Sequence, residues 1–237
     1  MRRRTFLASS LAAAATPLVA SCGAKAVRET PPGELLRFGS TIELSADGAG
    51  AGQRVVLKAL PGPALALASG GLAIADPWFR DTLPKRELIR LPRGPQPTLL
   101  STILVPRKGK PVTMACAAAI GAVGKVADWQ PLMVEGKPFW LDSDSALGAF
   151  YDIADAAALR PVFENDARMF GVYKNALSAL VVPMEIGGRV AVVAFLCPDG
   201  SGLYPVYAGF DGSGQAVAVL VDLKILNPRR PWTTPSP

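Results

Sequence analysis

Towards the C-terminal end, three β-rich runs, 189–197, 203–210 and 215–226, flank two short separators, Pro198-Asp199-Gly200-Ser201-Gly202 and Asp211-Gly212-Ser213-Gly214. Both separators are turn-formers, because Asp accepts hydrogen bonds from its own turn and Gly supplies positive φ. The spacing predicts a three-stranded antiparallel meander and commits the chain to a core built on sheets.

Further runs at 38–45, 54–60, 71–75, 100–105, 111–120, 124–134 and 179–185 share this character, broken by Gly, Pro and Asp. Several are apolar on both alternating faces, as expected of strands covered on both sides. The expected fold class is mainly β, antiparallel and β-sandwich-like, with one or two short helices. One helix is expected after Asp142-Ser143-Asp144-Ser145, any of which supplies a cap. Leu147, Phe150, Tyr151, Ala154 and Ala158 follow at i, i+3, i+4, i+7 and i+11, one apolar stripe. A second short helix falls within 163–176.

The N-terminus carries an address. Arg2, Arg3 and Arg4 precede an Ala-rich apolar run, Phe6 to Ala20, which is the layout of a secretory signal. The run is too short to span a bilayer of ~30 Å. Arg3-Arg4-Thr5-Phe6-Leu7 resembles the twin-arginine export signal, with Arg2 where Ser or Thr is usual and Ala8 where Lys is common. Val19-Ala20-Ser21-Cys22 resembles a lipobox, which makes Cys22 the lipidation site and the mature N-terminus. Gly23, not Asp, follows the cysteine, which by the sorting rule of enteric bacteria points to the outer membrane. The expected location is the bacterial cell envelope, lipid-anchored, on the periplasmic side or at the outer membrane.

The expected organisation is therefore a signal peptide at 1–21, a flexible stalk at 22–36, one β-rich domain at 37–226 and a Pro-rich tail at 227–237. Discarding residues 1–21 removes three arginines and no acid. Lys plus Arg falls from 25 to 22 against 19 acidic residues, a net charge of about +3. Apart from 107–110 and Arg229-Arg230, no dense basic run remains, so nucleic acid is not an expected partner. The expected partners are the membrane, through the N-terminal lipid, and another envelope protein.

Among 237 residues there is no histidine. That removes Ser-His-Asp and Cys-His nucleophilic sites, imidazole as a general base and the usual zinc sites. With Cys22 lipidated, Cys116 and Cys197 remain, either as one disulfide in an oxidising compartment or as two buried thiols packed as small hydrophobes.

Gly71-Leu-Ala-Ile-Ala-Asp-Pro77, the block Asp144 to Asp152 with Gly148 and Phe150, and Asp199-Gly-Ser-Gly-Leu-Tyr-Pro-Val-Tyr-Ala-Gly-Phe-Asp211 through Val221-Asp222 resemble the family called domain of unknown function 4241. The likeness spans roughly 37–226. It implies a mainly β domain found in many bacterial proteins, with no reaction to carry over. The family often has Gly-Asp-Gly before the Tyr-Pro step. This chain has Gly200-Ser201-Gly202 there and places its acid at Asp199.

Asp142, Asp144, Asp152, Asp199 and Asp211 are the acids clustered by motif. Two carboxylates facing a cleft can act as acid and base on a glycoside, and Asp144, Asp152 and Asp199 are the catalytic candidates. Asp at caps and turns is the ordinary alternative. An EF-hand starting at Asp142 is excluded by Ala146, Leu147 and Ile153 at its fifth, sixth and twelfth positions. Neither a metal nor a cofactor is expected. Tyr204, Tyr207 and Asp211 are the candidate binding residues, and Phe210, Trp78, Trp129 and Trp140 could extend a sugar- or peptide-binding face. The first functional expectation is an envelope lipoprotein that binds or protects, as immunity proteins do. The alternative is a His-independent carboxylate hydrolase acting on an envelope polymer.

Overall fold

A computed structural model describes residues 30–44, 53–79, 83–106 and 110–226. The export signal with Arg3, Arg4, Phe6 and Leu7, the lipidation site Cys22 and the tail 227–237 lie outside the described residues.

The fold is mainly antiparallel β and sandwich-like. One sheet of seven strands runs in the order Asp128–Pro131, Gly202–Phe210, Ala216–Asp222, Val112–Gly121, Thr98–Val105, Lys58–Pro61. Its seventh strand, Trp140–Ser143, pairs with the first half of Gly202–Phe210, while Asp128–Pro131 pairs with the second half. A second large sheet has five strands, in the order Val181–Ile186, Arg189–Leu196, Leu147–Asp152, Gly71–Ala75, Ile89–Arg90, and three two-stranded ribbons complete the β structure of the described residues.

Strand alternation divides the apolar residues among three cores. Leu72, Ile74, Phe150, Val193 and Phe195 of the five-stranded sheet meet Leu100, Ile120, Val206, Val219 and Val221 of the seven-stranded sheet. On the outer face of the five-stranded sheet, Ala73, Leu147, Ala149, Tyr151 and Val192 pack under two helices, α1 (Ala156–Phe163) and α2 (Asp166–Ala179). On the outer face of the seven-stranded sheet, Met114, Cys116 and Leu220 are covered by Leu35, Leu44, Val55 and Leu57 from the N-terminal segment. The strands therefore lie within four layers, which is why Gly71–Ala75 and Leu147–Asp152 are buried at every position.

Between the sheets the packing leaves no slack at Gly148. A Cβ there would stand 2.3 Å from the Phe195 ring and 2.7 Å from Leu141. Glycine is required by the close approach of that ring, whose centroid lies 4.9 Å from that of Phe150.

Three expectations are corrected. The apolar stripe from Leu147 to Tyr151 belongs to a strand, because burial on both faces makes neighbouring positions apolar and imitates a helical period. The helices follow it: a 3-10 turn at Ile153–Asp155, then α1 and α2. The second helix, expected within 163–176, is present as α2, capped by the Asn165 side chain accepting from the Arg168 N–H at 3.0 Å.

The meander is half present. Gly202–Phe210 and Ala216–Asp222 form a hairpin, but Arg189–Leu196 pairs in the other sheet. Residues 198–201 thus form a corner between sheets, where the Cys197 N–H donates to the Ala146 carbonyl at 2.8 Å.

The segment expected to be stalk enters the fold before residue 37. Pro32–Leu36 is a 3-10 helix that buries Leu35 completely.

Candidate functional site

Three carboxylates are sealed inside the domain: Asp76, Asp152 and Asp222 are at most 1 % exposed. A buried carboxylate survives only with hydrogen-bond donors around it. Asp76, just past the end of Gly71–Ala75, has four donors. One oxygen accepts from the Trp78 N–H at 2.9 Å and the Ser145 hydroxyl at 2.6 Å; the other accepts from the backbone N–H groups of Asp144 at 2.9 Å and Ser145 at 2.7 Å. The Ser201 hydroxyl donates to the Asp144 carbonyl at 2.7 Å, which adds the 198–201 corner to the same cluster. Asp142-Ser143-Asp144-Ser145 is thus not a helix cap: Asp142 and Ser143 end the strand Trp140–Ser143, and Asp144 and Ser145 begin a bend that wraps a buried acid.

Asp152 lies at the end of Leu147–Asp152. It accepts from the Ser69 N–H at 2.7 Å, from the Ser69 hydroxyl, and from the Ala154 N–H at 3.0 Å. Ser69 in turn accepts from the Gly71 N–H at 2.9 Å. Beside it, the Arg189 guanidinium grips Asp155 with both terminal nitrogens. The hydrogen bond to Asp155 holds the Arg189 guanidinium above its ordinary range.

The three catalytic candidates are therefore not one site. Asp144 and Asp199 are exposed and lie on neighbouring turns, with their segments tied by the Ser201 bond. Asp152 is buried, and its oxygens are occupied by Ser69 and Ala154. The residue that organises the cluster is Asp76, which carried no candidate role on sequence grounds. Its signal was the Asp-Pro step closing an all-apolar strand.

The candidate binding tyrosines are buried on opposite faces of Gly202–Phe210. Tyr204 lies between the sheets at 1 % exposure and donates to the Gly200 carbonyl at 2.6 Å; Tyr207 is in the outer core at 6 %. Burial pushes the Tyr204 phenol well up, with Cys197 and Asp199 adding to the shift. Neither ring is open to a ligand. Asp211 closes the hairpin, accepting on one oxygen from the Ser213 N–H at 2.9 Å, the Ser213 hydroxyl at 2.6 Å and the Gln215 N–H at 3.0 Å. The Ser213 hydroxyl first, then the backbone donors, hold its carboxyl below the usual range.

Cys116 and Cys197 are free and buried, the first in the outer core of the seven-stranded sheet and the second between the sheets. The disulfide alternative is thereby corrected to two small apolar side chains packed in separate cores. Burial raises both thiols far above the ordinary range, Asp222 adding to the effect at Cys116 and the Ser143 hydrogen bond partly offsetting it at Cys197.

The outward side of α2 carries exposed apolar groups. Phe170 is 52 % and Leu177 is 54 % exposed, about two helical turns apart on one side. Trp78 packs near Phe170 and Tyr173, and Lys174 sits 5.5 Å from the Phe170 ring centre. Among the described residues, no group of three or more Cys, Asp or Glu side chains could hold a metal ion, and no helix is long and apolar enough to cross a membrane.

Comparison with protein-family models, with curated proteins and with solved structures gives no match to this chain.

Proposed function

We propose that the chain is a cell-envelope lipoprotein, exported on a twin-arginine-type signal and anchored through Cys22, whose β domain works by binding another envelope molecule. Protection against a partner protein, as in immunity proteins, is one form of that role. The observation that carries binding over catalysis is the state of the candidate acids. Asp152 is consumed by backbone and hydroxyl donors inside the fold, and Asp144 and Asp199 sit on exposed turns. A glycosidase needs two carboxylates flanking a bound sugar, one of them poised to give up a proton. A binding protein needs only a fixed surface, which four packed layers supply.

Kinship with the domain of unknown function 4241 family belongs to the same proposal. What supports it is that Asp76, Asp144, Ser145 and Ser201 come from the three resembling blocks and meet in one hydrogen-bonded corner.

Affinity capture with the tagged full chain from envelope extract tests the reading. The expected result is a retained protein partner, undiminished by Asp144→Asn or Asp199→Asn. Turnover of an envelope polymer by the purified chain, lost in either variant without a change in melting temperature, would replace the binding reading with the hydrolase.

A further inference from the structure

Between residues 83–85 and helix α1 lies a cavity of about 720 Å³, within the ~300–1,000 Å³ usual for small-molecule sites. Leu83, Ile153, Ala156 and Phe163 give it the apolar half of its lining, and Tyr151 and Arg160 also face it.

Tyr151 is the informative residue. It is 1 % exposed, its ring packs edge-on to Phe163 at 5.8 Å, and its hydroxyl has no hydrogen-bond partner among the described residues. A buried phenol ordinarily finds one, because leaving a polar group unpaired forfeits the hydrogen bond that water would have supplied. Nor is the oxygen sealed off, since the described side-chain atoms that are both closed from solvent and unpaired belong to Gln53 and Ser101. Burial raises the Tyr151 phenol far above its ordinary range, so it is a neutral O–H donor.

Among the described lining residues, cations outnumber acids. Lys85 and Arg160 both line it, and neither has an ion-pair partner among the described residues. Glu164 is the lone acid among the lining side chains. A lining that is about half apolar, a donor with no partner among the described residues and two cations against one acid are complementary to a ligand with an apolar body and an anionic oxygen head.

We propose that this cavity binds a small organic anion: an apolar chain whose carboxylate or phosphate accepts from the Tyr151 hydroxyl and pairs with Arg160 and Lys85. The site uses none of the candidate catalytic acids and does not depend on the export reading.

Calorimetric titration of the full chain carrying Cys22→Ser, with decanoate, decyl phosphate and 1-decanol, tests it. One of the two anions is expected to bind at a 1:1 ratio, at least ~tenfold more tightly than the alcohol, since a charge-assisted contact is the stronger one. The tighter anion identifies the head group. Arg160→Met and Lys85→Met, both at exposed positions, should each weaken anion binding several-fold and leave the alcohol unchanged. Tyr151→Phe should weaken it with an unaltered melting temperature. The proposal is overturned if neither anion saturates, if the alcohol binds as tightly, or if the Arg160 and Lys85 variants bind like the parent.

Discussion

Asp76 and Ser145 are 69 positions apart, yet Ser145 donates to both carboxylate oxygens of Asp76, its N–H to one at 2.7 Å and its hydroxyl to the other at 2.6 Å. This pair fixes the end of Gly71–Ala75 to the turn before Leu147–Asp152, so the register of two central strands depends on one buried acid. Asp76→Ala would strand the N–H groups of Trp78, Asp144 and Ser145 around a hole. Because hydrogen bonds to a charged group are worth ~1.5–3 kcal/mol each and are not additive, the expected loss is about 3 kcal/mol or more. Asp76→Asn should also destabilise, since its amide turns a donor towards donors. Urea unfolding, with a lower midpoint and unchanged slope, checks both.

The free cysteines predict silence. Cys116 and Cys197 are buried in separate cores and their thiols are shifted far upward, so neither offers thiolate at neutral or mildly alkaline pH. In the native chain carrying Cys22→Ser, a thiol reagent should find no reactive group, and two should appear in guanidinium. A reducing agent should leave the melting temperature unchanged. A native chain that yields no thiols even when unfolded would mean that the two are bonded.

How far these features were legible in the sequence follows from where the determining contacts lie. Gly71–Ala75, Val112–Gly121 and the Asp211 hairpin are encoded locally, by apolar runs and by turn residues acting within a few positions. The stretch from Leu147 to Tyr151 imitates a helix in the sequence because a strand covered on both sides has no period of two, and its apolar positions fall by chance on a helical stripe. Residues 198–201 resemble the Asp211 turn in composition, but their direction is set by the bond of the preceding Cys197 N–H to Ala146, far away in the sequence, which no local pattern contains. The same holds for the candidate site. Asp152 is a sound candidate by motif, and only the Ser69 contacts reveal that its oxygens are taken. Tyr151 looks like core in the sequence, and its unpaired hydroxyl emerges only when α1 is placed beside residues 83–85.

Asp211 predicts a pH dependence with a definite sign. Its folded carboxyl is held below the unfolded value of 3.8, chiefly by the Ser213 hydroxyl and the Gln215 N–H. A group with a depressed folded pKa contributes stability that is fully present above the unfolded value and is lost as pH falls through the folded one. Asp211→Ala should therefore lower the unfolding midpoint near neutrality, and the gap to the parent should close as the pH is taken below that window. The carboxylate is solvent-facing, so the gap should also be modest. Paired urea titrations across the acid range measure it; a gap that widens on acidification would contradict the assignment.

The proposed address makes the last prediction, and it separates export from anchoring. In the proposed address the lipobox cysteine is the attachment point; among the described residues no helix is long and apolar enough to span a bilayer. Cys22→Ser should therefore still be exported but shift from the membrane fraction to the soluble fraction of the envelope, because stable anchoring needs acyl chains that the serine cannot receive. Replacing Arg3 and Arg4 together by Lys should act one step earlier and hold the protein in the cytoplasm, since the translocase reads the arginine pair and not its charge. Fractionation with immunoblotting distinguishes the two. If both variants fractionate like the parent, Cys22 and the arginine pair are not the address, and the proposed lipoprotein role falls with them.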